Sequence, residues 1–127
     1  FGNTSAMITG DVEHHSEKLM IEEFGANKLR CDIYQISHHG SSTSNHDSFM
    51  DAVSPEFAVI QSETGNSYGH PHKEALDRLN KAGVKSIYRT DISVYGILYI
   101  LKTKNLLFLC VKLNFLFHTN NESLRLA

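Results

Sequence analysis

Cys31-Asp32-Ile33-Tyr34-Gln35-Ile36-Ser37-His38-His39-Gly40-Ser41 is the stretch whose pattern decides the fold class. Apolar side chains at 31, 34 and 36, with Ile33 on the opposite side, alternate as in a β-strand. The strand stops at His38-His39-Gly40-Ser41-Ser42-Thr43-Ser44, a small polar loop. Polar loops that follow strands are where α/β proteins place their sites.

The same unit recurs on both sides of this stretch. Upstream, Ser5-Ala6-Met7-Ile8-Thr9 reads as a short strand ending at Gly10-Asp11. Residues 12–24 then read as a helix, with Val12, Leu19, Met20 and Phe24 on its apolar side and Glu13, Glu17, Glu22 and Glu23 outward. Gly25 stands where a helix-ending glycine belongs. Downstream, Asp47 to Val53 is a short helix stopped before Pro55, because the residue before a proline avoids helical geometry. Residues 56–62 form the next strand, followed by the loop 63–69. Pro71 suits a first helical turn, Lys73 to Ala82 is helical with Ala75, Leu76 and Leu79 on one face, and Gly83 ends it. Residues 84–90 form another strand. Residues 96–101 and 106–112 look like a hairpin turning at 102–105. Strands that alternate with helices predict an α/β protein with crossover connections. Residues 1–113 are read as one unit and 114–127 as a tail without clear pattern.

Composition narrows the function classes. The chain has 127 residues, is 41% hydrophobic and 20% charged, and carries a formal net charge of -2. That charge gives no electrostatic case for a nucleic-acid surface. Cys31 and Cys110 are two cysteines in no metal-like spacing, and they read as structural thiols rather than a disulfide framework. The apolar run 97–101 and 106–117 is broken by Lys102, Lys104, Lys112 and Asn114, so no transmembrane segment is expected. The chain opens Phe1-Gly2-Asn3-Thr4, without an initiator Met or a charged leader, as expected of a piece of a longer protein.

The eight histidines are the unusual feature. Three polar groups follow strands: Thr9-Gly10-Asp11, Ser37-His38-His39-Gly40-Ser41 and Tyr68-Gly69-His70-Pro71-His72. One carboxylate and up to four imidazoles can therefore converge at one sheet edge, and zinc takes neutral imidazole nitrogen and carboxylate oxygen as ligands. Each group alone is also what an ordinary turn or surface pair looks like; the three in this order are more specific. His14 and His15 read as solvated helix surface, and His46 as a flank or cap of the short helix. Arg89 reads as a contact for an anionic substrate or as the partner of a nearby carboxylate, and Asp91 as fixing a turn.

The segments Ile8-Thr9-Gly10-Asp11-Val12-Glu13, Ile36-Ser37-His38-His39-Gly40-Ser41, Tyr68-Gly69-His70-Pro71-His72 and Tyr88-Arg89-Thr90-Asp91 resemble the metallo-β-lactamase superfamily. The resemblance covers about residues 1–100. It is closest to the hydrolase domain of the competence protein ComEC and its free-standing soluble relatives. It implies the C-terminal half of an αββα sandwich with one or two zinc ions at the sheet edges. It implies Asp11 as the carboxylate that bridges two metals and His38 or His39 as a ligand of the second. His38 is favoured because it directly continues the strand. It further implies His70 as general acid and His72 as a substrate contact, with His72 alternatively capping the next helix; the hydroxyls of Ser41, Ser42, Thr43 and Ser44 read as phosphate contacts or as an ordinary solvated loop.

The family's His-x-His-x-Asp-His motif does not occur in the chain; His70-Pro71-His72 is followed by Lys73-Glu74. The expectation is therefore a zinc-dependent hydrolase of a phosphodiester, a nucleic acid or another phosphoester, inactive without a missing N-terminal half. The alternative is a non-enzymatic half-domain that needs a separately encoded partner. Half a sandwich would leave an apolar sheet face that favours a homodimer. The resemblance implies a cytoplasmic location for a free-standing relative and an extracytoplasmic one for a ComEC-type membrane protein.

Overall fold

The computed structural model describes residues 4–92. Four short strands, β1 (Ala6–Ile8), β2 (Ile33–Gln35), β3 (Phe57–Ile60) and β4 (Ser86–Arg89), form one sheet in the order β1-β2-β3-β4. Every neighbouring pair is parallel, with Met7 opposite Tyr34, Tyr34 opposite Ala58, and Ala58 opposite Ile87. Helices α1 (His14–Phe24), α2 (Ala26–Leu29), α3 (Asp47–Val53) and α4 (Lys73–Lys81) fill the crossovers. The protein is thus α/β, as the alternation of strands and helices predicts. The hairpin read over 96–112, the boundary at 113 and the tail lie outside the described residues.

Strand order in sequence has a consequence for layering. Right-handed crossovers that always step to the next strand place every helix on the same face. The core agrees with this. Tyr34, Ile36, Ala58 and Ile60 pack with Leu29 of α2, Phe49, Met50 and Val53 of α3, and Leu79 of α4. Met20 and Ile21 of α1 are packed against that cluster. The alternate residues face the other way: Ile33 is grouped with the partly buried Phe57, Val59 and Tyr88 in a separate apolar cluster.

Three expectations for the first helix are corrected. Glu17 is not outward but 1% exposed, because its carboxylate accepts the backbone N–H groups of Asn45 and, at 3.1 Å, His46. Leu19 and Phe24 are each 50% exposed, and the inward positions are Glu17, Met20 and Ile21. The helix begins at His14 rather than residue 12, and α2 continues the chain beyond Gly25. Gly25 does end α1 as expected, at φ 74° with its N–H bonded to the Ile21 carbonyl. Cys31 is a buried free thiol whose pKa burial pushes up to about 11, which leaves it protonated and inert.

Candidate functional site

In a parallel sheet all carboxyl ends lie along one edge, and the polar groups of the sequence meet there. Ser37–Gly40 forms a single tight turn after β2 in which His38 (φ 50°, ψ 43°) and His39 (φ 54°, ψ 20°) are both left-handed. Gly40 follows at φ 82°. Two successive non-glycine residues in this region are strained, and such strain persists only where the surroundings over-determine it.

The surroundings here are a buried hydrogen-bond network under the turn. The Tyr34 hydroxyl donates to Asn45 Oδ1 at 2.9 Å and lies 2.6 Å from Ser37 Oγ, which also meets Thr9 Oγ1. Asn45 Oδ1 accepts the Ser37 N–H and its Nδ2 donates to the Ser37 carbonyl, both at 3.0 Å. Asn45 is in turn held by Glu17. In the turn after β1, the Gly10 carbonyl accepts the His38 N–H at 2.9 Å.

The turn aims the two imidazoles apart. His39, not the favoured His38, approaches Asp11, with Nε2 3.7 Å from Oδ1. His39 Nδ1 is 2.6 Å from the Gln61 carbonyl, which can only accept, so Nδ1 carries the proton. In the neutral ring the Nε2 lone pair then faces Asp11. His38 Nδ1 lies 3.1 Å from Glu13 Oε1, off hydrogen-bond angle, and this buried nitrogen makes no hydrogen bond.

The loop after β3 supplies the remaining rings. His70 is stacked between Tyr68 and His39, at centroid distances of 5.7 and 6.3 Å, and stands edge-on to His38 at 5.6 Å. Burial, and then the neighbouring imidazoles His72, His38 and His39, hold the His70 pKa below the ordinary histidine range. His72 uses both ring nitrogens on backbone: Nδ1 accepts the Ser42 N–H at 2.9 Å and Nε2 donates to the Tyr68 carbonyl at 3.0 Å. It also occupies the N-cap position of α4, without a side-chain cap bond. Ser41 is 4% exposed, and its hydroxyl is spent on Thr43 Oγ1 at 3.0 Å. Arg89 pairs with Asp91 through two hydrogen bonds, Nε to Oδ1 at 3.0 Å and Nη2 to Oδ2 at 2.6 Å. That bond to Arg89 holds the Asp91 carboxyl below the usual range.

The structure thus brings together Asp11, His39, His38 and His70, and makes His72 and Ser41 parts of the frame. Sequence reasoning missed a second group. His14, Glu17 and His46 are the one trio of His, Cys, Asp or Glu among the described residues whose ligand atoms all lie within 4.8 Å of one another. The i, i+3 spacing of His14 and Glu17 on one helix face was the available signal. Among the described residues, no helix is long and apolar enough to cross a membrane.

No family profile matches the chain, and no solved structure does either. Curated relatives do match. Competence protein ComA of Neisseria gonorrhoeae is 37% identical over 92 residues, 72% of this chain and 13% of that protein. ComE operon protein 3 of Bacillus subtilis is 31% identical over 90 residues, 71% of this chain and 11% of that protein. Recombination protein 2 of Haemophilus influenzae is 32% identical over 80 residues, 63% of this chain and 10% of that protein. The chain spans roughly a tenth of the length of the curated relatives it matches. These likenesses support a competence-related family, to one short segment of whose members the chain is similar.

Proposed function

We propose that the chain is the C-terminal half of a metallo-β-lactamase-type zinc hydrolase, with Asp11 and His39 as its contribution to the metal centre. The observation that carries this reading is the pairing of His39 Nε2 with Asp11 Oδ1 across 3.7 Å, with Nδ1 of the same ring tied to the Gln61 carbonyl. A histidine that ligates a metal through one nitrogen commonly donates its other N–H to a carbonyl or carboxylate, which fixes tautomer and ring direction. A lone pair and a carboxylate oxygen that face each other across such a gap fit a cation better than they fit each other. His38 is turned to Glu13 and serves a second metal only from there.

Two ligands do not make a catalytic zinc site, which needs three from protein and an open position. The rest would come from the N-terminal half, so this chain alone is expected to be inactive. When bound, zinc supplies a water acidic enough to lose its proton near neutral pH and positive charge against the developing anion. The chain's own residues do the remainder. The strained turn aims His39, and the Gln61 carbonyl holds its tautomer. His72 ties the loops after β2 and β3 together, so that His70 stays over the cleft. His70 is the proton donor to the leaving group, and because burial and the neighbouring imidazoles lower its pKa, it holds that proton only below the ordinary histidine range. A phosphodiester substrate, nucleic acid foremost, fits the competence and recombination names of the relatives.

Co-expression with an N-terminal half carrying His-x-His-x-Asp-His tests the reading. The pair is expected to bind zinc and cleave a generic phosphodiester, and Asp11→Ala to abolish cleavage and to remove the zinc held at the strand ends. Zinc content and activity that Asp11→Ala leaves unchanged would overturn the assignment. The second reading, a non-enzymatic half-domain that docks on a partner, is favoured by the apolar cluster of Ile33, Phe57, Val59 and Tyr88. It predicts a stable complex without turnover in the same experiment.

A further inference from the structure

We propose that His14, Glu17 and His46 form a separate site for a first-row divalent cation of the zinc class, one that ties α1 to the start of α3. The site shares no residue with the Asp11–His39 pair and stands or falls without it.

Glu17 Oε2 is the centre of the group, 3.2 Å from His46 Nδ1 and 3.9 Å from His14 Nδ1. The two rings lie side by side, centroids 3.7 Å apart at 34°. Glu17 is 1% exposed, and among the described residues the backbone N–H groups it accepts are those of Asn45 and His46. A carboxylate taken this far from water needs positive charge near it. The second observation is independent: His14 Nδ1 is shielded from solvent and has no hydrogen-bond partner. A buried ring nitrogen without a partner is costly unless something occupies its lone pair. Burial first, and then His46 and Lys18, hold the His14 pKa below the usual range, which keeps the ring in the neutral form that ligates.

Two imidazole nitrogens and one carboxylate oxygen are a ligand set that suits zinc and its first-row neighbours. On binding, His46 gives up the proton on Nδ1 and takes the tautomer with Nε2–H, so its hydrogen bond to Glu17 is exchanged for the metal. The fourth position remains for water. The location gives the ion a structural consequence. His14 also donates its backbone N–H to the Thr43 carbonyl at 3.2 Å, and His46 occupies the N-cap position of α3. A cation here fixes the segment 41–46 that carries Asn45, and so the floor under the His38–His39 turn.

The full chain carrying Asp11→Asn and His39→Asn, which removes the strand-end pair, is titrated with Co²⁺ and with Zn²⁺. One equivalent of Co²⁺ with visible d–d bands is expected, together with a rise in melting temperature on adding Zn²⁺. His14→Ala and, independently, His46→Gln in that background are each expected to weaken binding at least about tenfold. His15→Ala, one residue away and exposed, is expected to leave it unchanged. Circular dichroism establishes that each variant is folded before titration. Absence of Co²⁺ bands in the folded background protein, or affinity that His14→Ala leaves intact, would overturn the proposal.

Discussion

Single residues set the geometry at the strand ends, and Gly40 shows how tightly. It sits at φ 82°, and a Cβ there would stand 2.6 Å from Pro71 Cβ and 3.1 Å from Pro71 Cα. Neither atom belongs to a flexible side-chain tip. Gly40→Ala is therefore expected to cost about 2–4 kcal/mol, from left-handed strain and forced displacement together, measurable by urea denaturation. A variant that is as stable as the parent would mean the loops after β2 and β3 do not meet as described. That Asp11, His38, His39 and His70 come together was legible because short polar motifs at strand ends are local in sequence. That His39 rather than His38 faces Asp11 was not legible. Strand continuation points to His38, but the left-handed turn, which redirects both rings, depends on Asn45 and Tyr34 from elsewhere in the chain.

Elements carry that geometry through a few long-range ties. Arg78 of α4 donates from Nη1 to the Ser42 and Ser44 carbonyls, at 2.9 and 2.6 Å, and so clamps the loop between the turn and α3. Hydrogen bonds from a charged donor to part-buried carbonyls contribute more than neutral ones. Arg78→Leu is expected to destabilise by about 2 kcal/mol. It is also expected to speed amide hydrogen exchange across residues 41–46 while leaving β3 protected. Uniform protection across that loop in the variant would count against the clamp. The four strands and the three longer helices were readable from alternation, from Gly25 and from the stop before Pro55. The inward Glu17 was not, because a glutamate in a helix reads as solvated unless its acceptors' partners are known. Those partners, the N–H groups of Asn45 and His46, belong to another element.

At the scale of the whole molecule, the described helices pack on one face of the sheet, and the other presents Ile33, Phe57, Val59 and Tyr88. Among the described residues no element covers that face, and an apolar sheet face without a layer over it favours association. Sedimentation of the isolated chain at tens of micromolar is expected to show self-association, suppressed by Val59→Lys on that face. A monomer under those conditions would remove the support this face gives to a half-sandwich. The need for a second layer was inferred from family resemblance; the periodicity of the strands shows two apolar sides but not what covers each. The sheet order carries one more implication. Among the described strands, β2, β3 and β4 each pair with the strand just before them in the chain, so none of these has to be inserted between two already joined. As the polypeptide leaves the ribosome from its N-terminal end, the order of emergence is the order of pairing. β1 through β4 can then assemble like successive turns of a coil, each new crossover closing over the last.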